Sequence, residues 1–417
     1  MKLLPGCRRL QVLGAALAVC VTISFTMQLL RAPFQRRGYP DQLPHLWSLP
    51  WGAGEEGDTP SPDPPSPSPC QPRRHIVFLK THKTGSSSIV NLLHRFGETQ
   101  GLRFALPPRY QFGYPNPFRA WRVKGYQPGG PPFDILCHHM RFNLPEVQKV
   151  VPPDSFYFSI VRDPGALAES AFSYYREVAP AFRRVGSLAQ FLEAPNRFYD
   201  PAERGNHYAR NLQWFDFGLA PPAQPGPKAV RAALAWLDET FPLVLLMEHF
   251  DESLVLLREA LCWAEEDMDL FQHNGRSPKT VHPLAPDQAA RLRAWNALDW
   301  QLYTHFNRSF WRRVEAFGLS RLRAEVARLR ERRQALAERC LQGGGPMEAA
   351  SITDERIRPF QFGQVQILGY TLRLGLGPTD QQLCTRLVTP ELQYKDILDA
   401  RQFGGNGSMA THRGGGK

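Results

Sequence analysis

Three short segments of this chain carry residue types that together can hold an anion and move a proton beside it. The first is Thr81-His82-Lys83-Thr84-Gly85-Ser86-Ser87-Ser88, which follows the apolar run His75–Lys80. Gly85 lets the backbone approach a ligand closely, a helix start presents unpaired N–H groups, and Lys83 adds a full positive charge. Ser86, Ser87 and Ser88 can cap the helix or donate to phosphate oxygens. This is the physics of a phosphate cradle, although Lys83 precedes the glycine and the Walker spacing is absent. An ordinary capped helix after a strand is the competing reading. The second segment is Arg162-Asp163-Pro164, with Ser170 eight residues beyond Arg162. Eight residues are about two helical turns, so both side chains can meet one anion; pairing of Arg162 with a carboxylate is the alternative. The third is Cys137-His138-His139-Met140-Arg141-Phe142. A histidine titrates near neutrality and can serve as a general base, but such pairs more often reflect packing or surface polarity.

Each segment ends an apolar run, and the runs suggest what must position them. His75–Lys80, Phe133–His138, Ser155–Val161 and Phe241–Glu248 read as buried strands. Helical patterns follow over Ser86–Phe96, Ala166–Glu177 and Asp251–Trp263. Strand–turn–helix units in series predict an α/β fold with a mostly parallel sheet flanked by helices. Such sheets bind ligands at the C-terminal ends of their strands, where all three segments fall. The charged segment Arg321–Cys340 reads as a helix packing through Leu322, Val326, Leu329 and Leu336, without a catalytic role. Pro221–Pro227 (PPAQPGP) reads as a break or surface insertion.

The chain has 417 residues, a net charge of +11 and 42% apolar residues, which suits a folded body with anionic partners rather than a disordered chain. No charged residue lies between Arg9 and Arg31. Residues 10–30 are therefore expected to be a transmembrane signal anchor, residues 1–9 a cytoplasmic tail and residues 31–72 a Pro-rich stem. Residues 73–403 would form a lumenal body and residues 404–417 a disordered tail, giving a single-pass type II protein. An anchored lumenal body excludes nucleic acid as the expected partner. Seven cysteines show no metal-ligand spacing, so no metal ligands are assigned. One or two disulfides among Cys70, Cys137, Cys262, Cys340 and Cys384 are open, with at least one thiol left over. Asn307 and Asn406 begin glycosylation sequons.

Taken together, LKTHKTGSSS, IVRDP with Ser170, and CHHMRF resemble the galactose-3-O-sulfotransferase family. The resemblance extends through NHYARNLQWFDFG, EHFDESLVLL, HFNRSFW and TPELQY. It implies the fold of sulfotransferases that use 3′-phosphoadenosine 5′-phosphosulfate (PAPS), which is related to P-loop NTPases, and Golgi membrane localisation. It implies that Lys83, Thr84, Gly85, Ser86, Ser87 and Ser88 surround the 5′-phosphosulfate, and that Arg162 and Ser170 hold the 3′-phosphate. His139 matches the family's base, with Lys83 stabilising the leaving group. His138 stands where relatives often carry Asn. The branch most resembled sulfates galactose β1,3-linked to GalNAc on O-glycans; galactose on glycolipids or N-glycans is the nearest alternative acceptor. No metal is required by this chemistry, though divalent stimulation stays open, as does homo-oligomerisation. His138, Arg141, Arg210, Asn211 and Trp214 are the acceptor-site candidates. A nucleotide kinase or NTPase, and a non-catalytic Golgi glycan-binding protein, are the other readings.

Overall fold

The computed structural model describes residues 70–219, 226–363 and 365–404. The expected anchor, nearly all of the stem, most of PPAQPGP, Asn406 and nearly all of the C-terminal tail lie outside these residues. No helix among the described residues is long and apolar enough to cross a membrane.

A parallel sheet organises the body. Its strands are β1 (Ile76–Leu79), β2 (Phe104–Ala105), β3 (Ile135–Leu136), β4 (Phe156–Val161) and β5 (Leu243–Leu246), in the order β2-β3-β1-β4-β5. All four pairings are parallel, with Val77 opposite both Leu136 and Tyr157. The four strands expected from apolar runs are present, each somewhat shorter than its run. β2 was not expected: two residues carry no periodic signal.

Alternate residues of β1 face opposite sides. Ile76 and Phe78 pack with Ile89, Leu92, Leu254 and Leu257, whereas Val77 and Leu79 join Leu298, Leu302, Phe306 and Val230. Both faces are thus covered, which is why the strand is apolar throughout. The first face is built by α1 (Ser86–Thr99), and α2 (Pro164–Tyr175) follows β4. On the other face lie α3 (Pro227–Thr240) and, after α4 (Phe250–Leu261) and α5 (Pro286–Trp295), the long α6 (Ala297–Phe317). The described residues close with α7 (Leu319–Cys340), α8 (Pro378–Val388) and α9 (Glu391–Phe403). In α7, Leu322, Val326 and Leu336 are buried as expected.

Two disulfides form, Cys70–Cys262 and Cys340–Cys384, and Cys137 remains a buried thiol. Asn307 lies inside α6, partly buried, with its amide 3.4 Å from the Tyr303 hydroxyl; a glycan there would replace that contact.

One turn beside the site is sterically exacting. Gly218 adopts φ 78°, and a Cβ there would lie 2.0 Å from the Phe142 carbonyl oxygen. Gly218→Ala is expected to lose roughly 3 kcal/mol from a left-handed alanine plus backbone displacement. Denaturant unfolding checks this; an unshifted midpoint would refute it.

Candidate active site

The connection from β1 runs towards β3 and β2, while β4 leads to β5 on the other side. A crevice therefore opens beyond the C-terminal ends of β1 and β4. A cavity of about 790 Å³ occupies it, a size suited to a small ligand. Lys83, Arg162, Ser170 and His139 all line it, so residues from three separate strand ends converge.

The turn after β1 is held by its own hydroxyls. Thr81 and Thr84 contact each other at 2.9 Å, and the Ser86 hydroxyl donates to the Thr81 carbonyl at 2.8 Å. Lys83 adopts φ 61° and Gly85 φ 73°, which turns the chain sharply into α1. Arg162 Nη1 donates to the Lys83 carbonyl at 3.0 Å, so the second segment braces the first. Gln213 braces Arg162 in turn: its amide oxygen accepts from Arg162 N at 2.7 Å and its nitrogen donates back at 2.9 Å. Asp163 caps α2 by accepting from Gly165 N at 2.8 Å, as the Asp-Pro start predicts. Thr84, Gly85, Ser86 and Ser87 line the cavity. Ser88 does not; its hydroxyl instead accepts from His273 N at 2.9 Å.

Five cationic side chains line the cavity against three carboxylates, two of which are already paired: Glu169 with Arg276, and Asp163 with Arg293. The Lys83 ammonium sits 3.7 Å from the centre of the Tyr174 ring. Burial, then Arg276, Arg162 and Lys80, push its pKa down to about 7, opposed by Glu169. Such crowding of like charge fits a polyanionic ligand, and a nucleotide bearing phosphate at both ends suits cations at two strand ends. An anion beside Lys83 raises its pKa. Affinity for 3′-phosphoadenosine 5′-phosphate, the nucleotide product that the sequence resemblance implies, should therefore be full below about pH 7 and fall by up to about tenfold per unit above it, until the bound lysine itself deprotonates. Calorimetry across about pH 6.5–9 checks this, and Lys83→Gln should flatten the profile.

Around the imidazoles the structure holds groups that sequence did not single out. His139 Nδ1 is 3.0 Å from the Lys80 carbonyl, so it carries the proton, and Nε2 accepts from the Lys80 ammonium at 2.8 Å. Burial, His82 and Lys80 hold the His139 pKa well below its ordinary value, against the pull of Glu391. The His82 ring stacks on His139 at 3.9 Å. His82 Nδ1 donates to the Asp216 carboxylate at 2.9 Å, which also accepts from Tyr114, while its Nε2 is buried with no hydrogen-bond partner.

The five acceptor-site candidates do not line this cavity. His138 is buried against His94, their Nε2 atoms 3.3 Å apart. Arg210 is exposed and lies over Trp295, and Arg141 lies over Phe215. The Asn211 side chain accepts from Leu298 N at 3.1 Å, capping α6 from afar, and Trp214 is core. Of the five, Asn211 serves capping and Trp214 packing, while Arg141 Nε and His138 Nδ1 are buried without a hydrogen-bond partner. His94, Cys137 and His138 bring three ligand atoms within 4.8 Å of one another, a cluster that sequence spacing did not reveal. It is buried, and none of the three lines the cavity.

Residues 44–402 match the family described as galactose-3-O-sulfotransferase. The chain is 51% identical to galactose-3-O-sulfotransferase 4 of Bos taurus, across 94% of this chain and 93% of that one. It is 50% identical to galactose-3-O-sulfotransferase 4 of Homo sapiens, over the same shares. Identity to galactose-3-O-sulfotransferase 2 of Sus scrofa is 50%, across 80% of this chain and 85% of that one. With strand-end residues gathered on one cationic cavity and likeness of this extent, the chain belongs to the galactose-3-O-sulfotransferase family and is a carbohydrate sulfotransferase.

Proposed function

We propose that the protein transfers sulfate from PAPS to the 3-OH of terminal β-linked galactose on Gal-β1,3-GalNAc O-glycans, as a single-pass type II Golgi membrane enzyme. The donor follows from the family. The observation carrying the site assignment is the convergence of Lys83, Arg162, Ser170 and His139 on one cavity. Galactose as acceptor is supported by the family, and the type 4 branch by coverage of 94% of the chain against 80% for the type 2 relative; the O-glycan linkage is this proposal's own extension. Two disulfides support an oxidising compartment, with residues 10–30 as anchor, 31–72 as stem and 73–403 as lumenal body.

PAPS, when bound, supplies the sulfuryl group and a phosphate leaving group. The chain's own part is positioning and charge stabilisation. Lys83 and the N–H groups from Thr84 to Ser87 meet the negative charge that grows on the leaving oxygen. Arg162 and Ser170 hold the remote 3′-phosphate. His139 takes the proton of the attacking galactose hydroxyl at Nε2, once the Lys80 ammonium has moved off that atom. A second reading gives this task to His82, because its Nδ1 is backed by Asp216 and its Nε2 is unbonded.

Labelled sulfate transfer from PAPS by the full-length chain, to Gal-β1,3-GalNAc, Gal-β1,4-GlcNAc and galactosylceramide with linkage analysis, tests the proposal. The expected product is chiefly 3-O-sulfated Gal-β1,3-GalNAc. A preference for either other acceptor overturns the acceptor assignment, and 6-O-sulfation overturns the regiochemistry. Binding of sulfated glycans with neither PAPS binding nor turnover favours the glycan-binding reading.

A further inference from the structure

Glu391 opens α9 within TPELQY, a segment to which the site chemistry gives no role. Its side chain is 15% exposed and reaches across the fold to the donor loop. Oε2 accepts from the Ser87 hydroxyl at 2.9 Å and lies 3.3 Å from Lys80 Nζ. Oε1 lies 3.7 Å from His138 Nδ1. Lys80, itself 3% exposed, lines the cavity and points the same ammonium at His139 Nε2. The lone pair that must accept a proton is therefore held by Lys80, and Glu391 is a second acceptor within reach of that ammonium.

We propose that Glu391 is a positioning residue for sulfate transfer, whose carboxylate draws the Lys80 ammonium off His139 Nε2 and keeps it beside the donor loop. The inference rests on the proposed function, with His139 as base. Buried ion pairs contribute little net stability, so fold stability alone does not account for this one. The helix start favours a carboxylate at this position, which fixes where the charge sits. That charge also lies against Ser87, on the loop that would receive an anion, and so opposes donor binding. Position and charge thus predict opposite effects on affinity and turnover. A structural contact would move both the same way.

The groups facing Glu391 are Lys80, Ser87, His138 and His139, with His94, Cys137, Tyr174 and His273 around them. Glu391→Gln keeps a carbonyl for Ser87 and removes the charge. On the full-length chain it is expected to lower kcat roughly 30-fold or more, while the Kd for 3′-phosphoadenosine 5′-phosphate is unchanged or up to about tenfold tighter. The Glu391 carboxylate raises the His139 pKa. Its loss should therefore move the acid limb of kcat/KM to lower pH. Glu391→Asp, which keeps the charge, should recover part of kcat. Turnover within about threefold of wild type overturns the proposal, as does a fall in kcat matched by equal weakening of nucleotide binding. A wild-type chain that transfers no sulfate to any galactoside overturns the proposed function, and this inference with it.

Discussion

Replacing Lys83 with alanine is expected to lower kcat by about 10³-fold and to weaken donor binding by about tenfold. The asymmetry follows from where charge appears. On the proposed assignment the donor also has Arg162 and the turn N–H groups as ground-state partners, so losing one cation costs a single charge-assisted contact. On the same assignment, negative charge would concentrate on the leaving oxygen beside Lys83 as the sulfuryl group departs, where the ammonium stabilises it most. The structure prepares this residue at some expense. Its backbone is left-handed at φ 61°, its carbonyl is held by Arg162 at 3.0 Å, and its amine is pressed to a pKa of about 7 by burial and neighbouring cations. An arriving anion would restore its charge, so the proposed nucleotide binding and lysine protonation are coupled. Lys83→Arg keeps charge but presents a planar fork where a compact ammonium lies over Tyr174, so it should recover only a small part of turnover. Initial rates at saturating PAPS, with calorimetry of the nucleotide product, separate the two effects. Retention of more than about a tenth of wild-type kcat would remove Lys83 from the chemistry.

What sequence disclosed about this site and what it hid divide along one physical line. Lys83, Arg162, Ser170 and His139 were legible because each stands within a few residues of an apolar run, and local pattern locates strand ends. The eight-residue step from Arg162 to Ser170 is local too, since α2 places both on the cavity. Groups supplied from afar left no such trace. Asp216 meets His82 across 134 residues, and Glu391 meets Ser87 across 304. Lys80 was read as the end of a strand, although its ammonium faces His139. Asn211 and Trp214 show the converse, since neither lines the cavity. Their mixture of aromatic and amide suggests a sugar site, yet Asn211 caps a helix that begins at Ala297 and Trp214 fills the core. Polar residues near a motif serve capping as readily as binding, and only the fold tells the two apart.

The second large effect concerns the proton. Two imidazoles stack in parallel at 3.9 Å, and each donates its Nδ1 proton to a fixed oxygen, His139 to the Lys80 carbonyl and His82 to Asp216. Asparagine in either place can preserve that Nδ1 hydrogen bond while deleting Nε2, so the pair of variants isolates the atom that would accept the proton. His139→Asn is expected to lower kcat by about 10²–10⁴-fold, with nucleotide affinity changed no more than about threefold. His82→Asn should lower kcat about tenfold, through loss of the stack that orients His139. The pH profile adds an independent reading. His82 and Lys80 together with burial hold His139 well below its ordinary pKa, and the Glu391 carboxylate and the Lys80 carbonyl oppose them. A base with a lowered pKa stays unprotonated into acid, so the acid limb of wild-type kcat/KM should fall well below the usual histidine value and vanish in His139→Asn. If His139→Asn instead keeps near-normal turnover while His82→Asn abolishes it together with the acid limb, the proton goes to His82. Asp216 would then be the carboxylate that stabilises the imidazolium, and Lys80 would guard a neighbour rather than the base.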